Sequence, residues 1–293
     1  MAAKVYFTRE ITPESVVKLY EALAVRLPGK VAVKVHSGEE GNQNFLSPEF
    51  WKPMVERVDG TVVECNTAYG GARNSTKKHL QLLRQHGWNR LFTVDLLDAE
   101  GPDAELPVEG GKHLTKDIVG KNLLNYDSLL VLSHFKGHPM GGFGGALKQL
   151  SIGCASTAGK AYIHSAARTT DQTECWNPPA PQLDFLESMA EAASAVVKHF
   201  EGKIAFISVM KNLSVDCDCC AVAEDPCMQD IGVLASLDPV AIDQAGLNLV
   251  YAQTQDPGQK HFLKRVESRK GVHTVERAAE LGFGSREYEL IEL

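Results

Sequence analysis

The sequence predicts an α/β fold: a mainly parallel sheet with helices on both faces, built as two lobes of one domain. Three observations carry this expectation. Strand-like and helix-like patterns alternate through the first half of the chain, the signature of a parallel sheet flanked by helices. Leu129 to Leu132 are consecutive apolar residues, as a strand covered on both faces requires. Three strand exits, beginning at His36, Asn66 and His134, carry polar residues and glycine, and in a parallel sheet such exits can open on one cleft.

Taken in order, Lys4–Thr8 alternates as a short strand, and Thr12-Pro13-Glu14 offers an N-cap and a first-turn proline for a helix to about Leu27. Pro28-Gly29 stops it. Lys30–Val35 reads as a second strand, Ser47-Pro48-Glu49 opens a helix to about Val58, and Thr61–Cys65 is a third strand. A helix from about Ser75 to His86 leads to a strand over Leu91–Leu97, and the glycines and prolines from Gly101-Pro102 to Gly110-Gly111 predict a small hairpin or cover. After the Leu129–Leu132 strand, a loop through Gly145 precedes a helical pattern from Ala146 to Ile152. Residues 166–181, with three prolines, read as an irregular cover loop joining lobes 1–165 and 182–293. Leu183–Phe200 is an amphipathic helix and Lys203–Met210 a strand. Val233–Ser236 is a short strand, Asp238-Pro239 caps a helix to about Tyr251, and two helices and a last strand, Tyr288–Ile291, follow.

Composition narrows the partners. A net charge of −7 argues against nucleic acid, and no basic block suggests a local exception. The N-terminal segment has no apolar core of signal-peptide length, and no later segment reaches the roughly 18 continuous apolar residues of a membrane span. A cytoplasmic protein without a membrane partner is therefore the expectation. Seven cysteines, an odd number, speak against a closed disulfide framework and toward a metal or redox feature. Cys65 and Cys154 read as buried, inert thiols.

The chemistry concentrates between Leu129 and Lys160. Gly142, Gly144 and Gly145 precede a helix, and with Lys136 and Lys148 they suit an anionic substrate held on free backbone N–H groups. The spacing is neither a Walker A loop nor a dinucleotide fingerprint, and the competing reading is a tight turn that only lets strand and helix pack. A second focus is Asp216-Cys217-Asp218-Cys219-Cys220, with Cys227 beyond. Cys217 and Cys219 with His134 and His138 would make a tetrahedral zinc or iron site, unless the loop simply faces solvent; Cys220 and Cys227 could instead be a redox pair. His134 is also a candidate general acid or base, as is His164, while His36 with Glu39 and Asn42 is a weaker candidate. Asp238 is most simply a helix cap. No serine-hydrolase elbow or His-Glu-x-x-His pair is present.

Together Lys34-Val35-His36 through Gly41-Asn42, Ser133-His134-Phe135-Lys136-Gly137-His138, Gly142-Phe143-Gly144-Gly145-Ala146-Leu147-Lys148, Asp216-Cys217-Asp218-Cys219 and Asp230-Ile231-Gly232 through Ala241 resemble the domain-of-unknown-function 362 family, whose members are often labelled iron–sulfur proteins. The resemblance covers nearly the whole chain. Many members carry a ferredoxin-like insertion with Cys-x-x-Cys-x-x-Cys repeats after the segment matching Gly159–Ser165; this chain has only Cys175 there, so no ferredoxin-type cluster is expected.

The leading expectation is thus a metal-binding protein whose activity is redox or metal-assisted and whose partner is an anionic small molecule. One alternative, which the ferredoxin-bearing relatives suggest, is a non-catalytic accessory protein with a redox protein partner. Another is a metal-free enzyme acting on a small anion. Flavin stays open as a cofactor, since its phosphate could sit on the glycine loop. Monomer and homodimer are both compatible with the sequence.

Overall fold

The computed structural model describes residues 2–101 and 103–293; Pro102, part of the expected hairpin or cover, lies outside the described residues. The chain opens with β1 (Ala3–Thr8) and α1 (Pro13–Ala22), then runs through β2 (Val31–Lys34), α2 (Pro48–Arg57), β3 (Thr61–Glu64), α3 (Thr76–Gln85), α4 (Trp88–Leu91) and β4 (Val94–Leu96). A hairpin of β5 (Ala104–Pro107) and β6 (Lys116–Val119) leads to β7 (Ser128–His134). A second small hairpin, β8 (Lys136–His138) and β9 (Gly142–Gly144), precedes α5 (Ala146–Cys154), α6 (Thr157–His164) and α7 (Gln182–His199). The remaining elements are β10 (Ile204–Met210), β11 (Gly232–Ser236), α8 (Pro239–Ala252), α9 (Gln259–Ser268), α10 (Val272–Glu280) and β12 (Tyr288–Glu292).

Local chemistry accounts for most of the boundaries. Thr12 and Ser15 exchange side-chain and backbone bonds in a capping box, and the Asp238 carboxylate accepts from Val240 and Ala241 at the start of α8. Helix α1 ends at Ala22 rather than near Leu27, because Ala24 takes a left-handed φ of 50° and turns the chain so that Leu27 packs into the core. The strand expected over Leu91–Leu97 shrinks to Val94–Leu96. Leu91, its expected first residue, instead ends α4, which starts after Gly87 with φ 85° and buries Trp88 completely.

Eight strands form one sheet in the order β12-β1-β11-β10-β7-β2-β3-β4. From β10 through β4 all neighbours are parallel; only β11 runs antiparallel to both its neighbours, and β12 pairs parallel with β1. The period of two along each strand sorts side chains to two cores. Val33, Val62, Leu130, Leu132 and Ile207 face Trp51, Trp88 and the apolar side of α1. Ala32, Val63, Leu129, Val131 and Phe206 face α5, α7 and α8. Helices therefore cover both faces, and the strand exits, with no core to enter, supply the polar chemistry. Among the described residues no helix is long and apolar enough to cross a membrane.

Because β2, β3, β7 and β10 are parallel neighbours, their carboxyl ends share one edge of the sheet. Loops from that edge carry His36, Asn66 and Cys217. The β8–β9 hairpin and helices α5 and α6 close the same side.

Candidate functional site

A cavity of about 710 Å³ opens at this edge, with walls drawn from the β2 and β3 exits, the β8–β9 turn, α5, α6, the 166–181 loop and the Cys219 loop. Its ionised lining is lopsided: Lys34, Arg73, Lys148 and Lys160 against one carboxylate, Glu64. Two of the cations are neutralised within the protein. Lys34 Nζ lies 2.7 Å from Glu64, and Arg73 is held by Glu39 at 3.2 Å and donates to the Tyr69 hydroxyl at 2.7 Å. Glu64 also accepts from the backbone and hydroxyl of Ser37, at 2.8 and 2.9 Å. Burial opposes its charge, but the cations Lys34 and Arg73 outweigh burial and keep its pKa well below the usual carboxylate value.

Lys148 and Lys160 differ. Both are buried, yet among the described residues neither reaches a carboxylate at ion-pair distance. Lys160 Nζ donates to the Ala155 carbonyl at 2.5 Å, and burial lowers its pKa. Lys148 Nζ lies 3.1 Å from Cys217 Sγ; burial works against its charge, and the sulfur more than compensates, so its pKa is raised.

That sulfur is the centre of the most perturbed corner. Burial by itself would push the Cys217 thiol up, but hydrogen bonding from Cys219, the Lys148 ammonium and the rings of His138 and His36 hold it well below its ordinary value. The Cys219 backbone N–H also points at it, 3.3 Å away. The same pairing pushes the Cys219 thiol well up, so the shared proton belongs to Cys219. The rings complete the pattern. His138 Nδ1 accepts from the backbone of Gly141 at 2.8 Å and Met140 at 3.1 Å, and His36 Nδ1 accepts from Gly38 at 3.1 Å. Burial lowers both pKa values, His36 to about 4, so each ring is neutral with its proton on Nε2, the nitrogen on the sulfur side. The Cys217 sulfur is thus ringed by donors that favour its charged form.

His138, Cys217 and Cys219 also offer three soft or borderline donor atoms within 4.8 Å of one another, compact enough to hold a metal ion. His134 is not among them. Its Nδ1 faces Asp218 at 2.9 Å and its Nε2 faces the Lys211 carbonyl at 2.6 Å, so both nitrogens are committed to oxygen acceptors. The expected four-ligand set therefore loses His134, and with it the expected acid or base at that position, because Asp218 between the two cysteines claims it. Asp218 claims Lys136 too, at 2.8 Å, which takes Lys136 away from any ligand. Burial resists the Asp218 charge, but His134 and Lys136 override it and keep the carboxyl ionised.

Gly142 and Gly145 allow close packing. Gly142, with φ 82°, leaves no room for a Cβ, which would meet Gly271 Cα at 2.8 Å. Gly145 precedes α5, whose first free N–H groups, on Ala146 and Leu147, are bound by Asp243 at 2.7 and 2.9 Å. The anion at that helix start is the protein's own. Gly142, Gly144 and Gly145 are absent from the cavity wall, whereas Lys148, three residues further on, lines it. His164 lines it as well: its Nδ1 donates to the Lys160 carbonyl at 2.7 Å, it stacks on Phe185 with Trp176 tilted against it, and burial lowers its pKa to about 4. Cys220 is in the wall, but Cys227 is not; it hydrogen-bonds the Leu213 carbonyl instead.

Lys160, Lys34, Glu64, Arg73 and Tyr69 are the site residues that sequence reasoning missed. Lys34 and Glu64 did leave a signal, a charge at the end of each of two otherwise apolar adjacent strands. Lys160, inside a helical stretch, left none.

A family model described as "Domain of unknown function (DUF362)" matches residues 31–248. No curated protein matches the chain. Among solved structures, the lactate racemase apoprotein from Thermoanaerobacterium thermosaccharolyticum is 13% identical with a TM-score of 0.41, over 70% of this chain and 50% of that one. A protein from Thermotoga maritima is 11% identical with a TM-score of 0.43, over 92% of this chain and 58% of that one. The chain thus spans half the length of the first protein and 58% of the second.

Proposed function

The chain belongs to the DUF362 family of domains of unknown function, and since membership brings no activity with it, we propose from the site itself that the protein is an enzyme acting on a small anionic molecule beside a thiol–thiolate pair. One observation carries this reading: two buried lysines, Lys148 and Lys160, which have no carboxylate partner among the described residues, face a cavity large enough for a metabolite. A buried ammonium is costly without a counter-charge, and a bound anion would supply it. In a protein of net charge −7 this basin is also the place to which an anion is drawn.

The chemistry then falls to Cys219 and its neighbours. Cys219 is in the wall and Cys217 is behind it, almost wholly buried. When the Cys219 proton passes to the Cys217 sulfur, the pocket-facing sulfur becomes the nucleophile. His138 steadies the negative sulfur through its Nε2–H, while His164 keeps a lone pair on Nε2 for a proton of the ligand.

A second reading keeps a metal, because the His138, Cys217 and Cys219 donors lie so close together. Zinc or iron there would act as a Lewis acid or electron carrier next to the bound anion. The donor types fit, but the ring of His138 is turned the other way: metal-ligating histidines donate their second nitrogen, whereas this one accepts two backbone N–H groups. Metal binding would have to remove the Nε2 proton and release those bonds.

The test is calorimetric titration with inorganic phosphate and with a small dicarboxylate, beside elemental analysis of tag-free protein purified without oxygen. Binding that falls at least about tenfold in both Lys148→Met and Lys160→Met supports the proposal. Unchanged binding in both variants, or none in the wild type, overturns it. Near-stoichiometric zinc or iron that vanishes in Cys217→Ser/Cys219→Ser would select the metal reading.

A further inference from the structure

A separate group of metal-type donors lies outside the pocket, where the loop before β6 meets α7 and α10. His113, Asp184 and Glu187 bring one donor atom each within 4.8 Å of one another. We propose that this cluster is a binding site for a divalent transition-metal cation, with His273 as a fourth donor, and that the ion pins the β5–β6 loop to α7 and α10.

The donors come from three segments and are held in place independently of any ion. Asp184 and Glu187 stand three residues apart on one face of α7, in and just after its first turn. One turn further, the fully buried Glu191 accepts the backbone N–H groups of Lys112, His113 and Leu114 at 2.8, 3.0 and 2.8 Å and is itself fixed by Arg277 at 2.9 Å. Three successive amides on one carboxylate set the loop so that the His113 ring meets Glu187, Nε2 to Oε2 at 2.6 Å. From α10, His273 Nε2 reaches the other oxygen of Glu187 at 3.1 Å. This is the supporting shell that metal-binding side chains need to keep their orientation.

A positive charge already occupies the spot. Lys112 Nζ lies 2.8 Å from the same Glu187 oxygen that His113 contacts, and its side chain is 61% exposed, free to swing aside. The His113 and His273 side chains are 14% and 25% exposed, so an ion has a path in. Two imidazoles with two carboxylates is a borderline donor set: it suits zinc, cobalt or manganese, and lacks the thiols that would mark a softer ion. The arrangement owes nothing to the proposed activity, since none of these four residues lines the cavity.

Cobalt(II) titration of tag-free Cys217→Ser/Cys219→Ser protein isolates this cluster from the thiols. The expected result is about one equivalent bound with no sulfur-to-cobalt charge-transfer band, weakened at least about tenfold by His113→Gln and by Asp184→Asn, with a rise in unfolding temperature on zinc addition that the same variants abolish. No cobalt bound by the double-serine protein, or binding that both variants leave unchanged, overturns the proposal. Should the double-serine protein not fold, the comparison is made in wild-type cysteines. There His113→Gln must remove an equivalent that lacks the sulfur band; equal uptake with and without His113 overturns the site.

Discussion

Cys217 and Asp218 are neighbours in sequence but draw separate sets of donors. Cys217 gathers Lys148, His138 and His36, and Asp218 gathers His134 and Lys136. The split decides which residues can do chemistry, since groups tied to Asp218 are charge-balanced and buried. Lys148→Met should raise the Cys217 thiol pKa, so that the thiolate absorbance in the ultraviolet is lost at a higher pH than in the wild type. The sign follows from the depressed folded-state pKa. Thiolate-linked stability is present above the unfolded thiol value and fades as pH falls through the folded one, and removing Lys148 moves that fade upward. A titration that Lys148→Met leaves in place would show that the histidines alone hold the sulfur. At this scale the sequence pointed to the loops that bring the donor atoms of His138, Cys217 and Cys219 together, because soft donors in a short loop are rare. His134 was not correctly placed, because composition cannot say that a carboxylate between two cysteines will take the nearer imidazole.

The element that most changed meaning is the start of α5. Glycines before a helix suggested a cradle for a bound anion, and physically the cradle exists, but Asp243 of α8 fills it. Burial raises the Asp243 pKa to about 7 despite the Leu147 and Ala146 amides that favour its charge, so the bond joins two helices at some electrostatic cost. Gly145 is required for it, since a Cβ there would stand 2.2 Å from the Asp243 oxygen. Asp243→Ala should lower stability by about 2–4 kcal/mol in urea unfolding, from two buried amides left without partners, and should leave phosphate binding by the pocket unchanged. Lost phosphate binding in a variant that still folds would return the anion site to the glycine loop. A sequence shows that a helix start wants an acceptor; it does not show that a residue almost a hundred positions away will provide one. The missed helix α6 has the same cause, for its Ser156 cap and short apolar stripe look like loop until Ile163 packs against Phe185 and Leu186.

Across the whole molecule, the alternation of strands and helices and the gathering of polar exits at one edge were legible, because both follow from the sheet's own geometry. The ties between distant loops were not. Asn42 donates to the Cys217 and Cys220 carbonyls at 3.3 and 2.9 Å, and Asn44 donates to Glu224 at 2.8 Å, so side chains after β2 hold the cysteine loop after β10 in shape. Asn42→Ala/Asn44→Ala should therefore speed amide exchange over residues 217–224, with little change in exchange of β7. Unaltered exchange in that loop would show it to be self-supporting. The pairing of β1 carries a different consequence. Val5 lies opposite Ser236 and Leu290, so β1 pairs on both sides with strands made more than two hundred residues after it. It must wait as an unpaired edge until both partners have been made, and the fold can close on that side only through contacts of very long sequence separation.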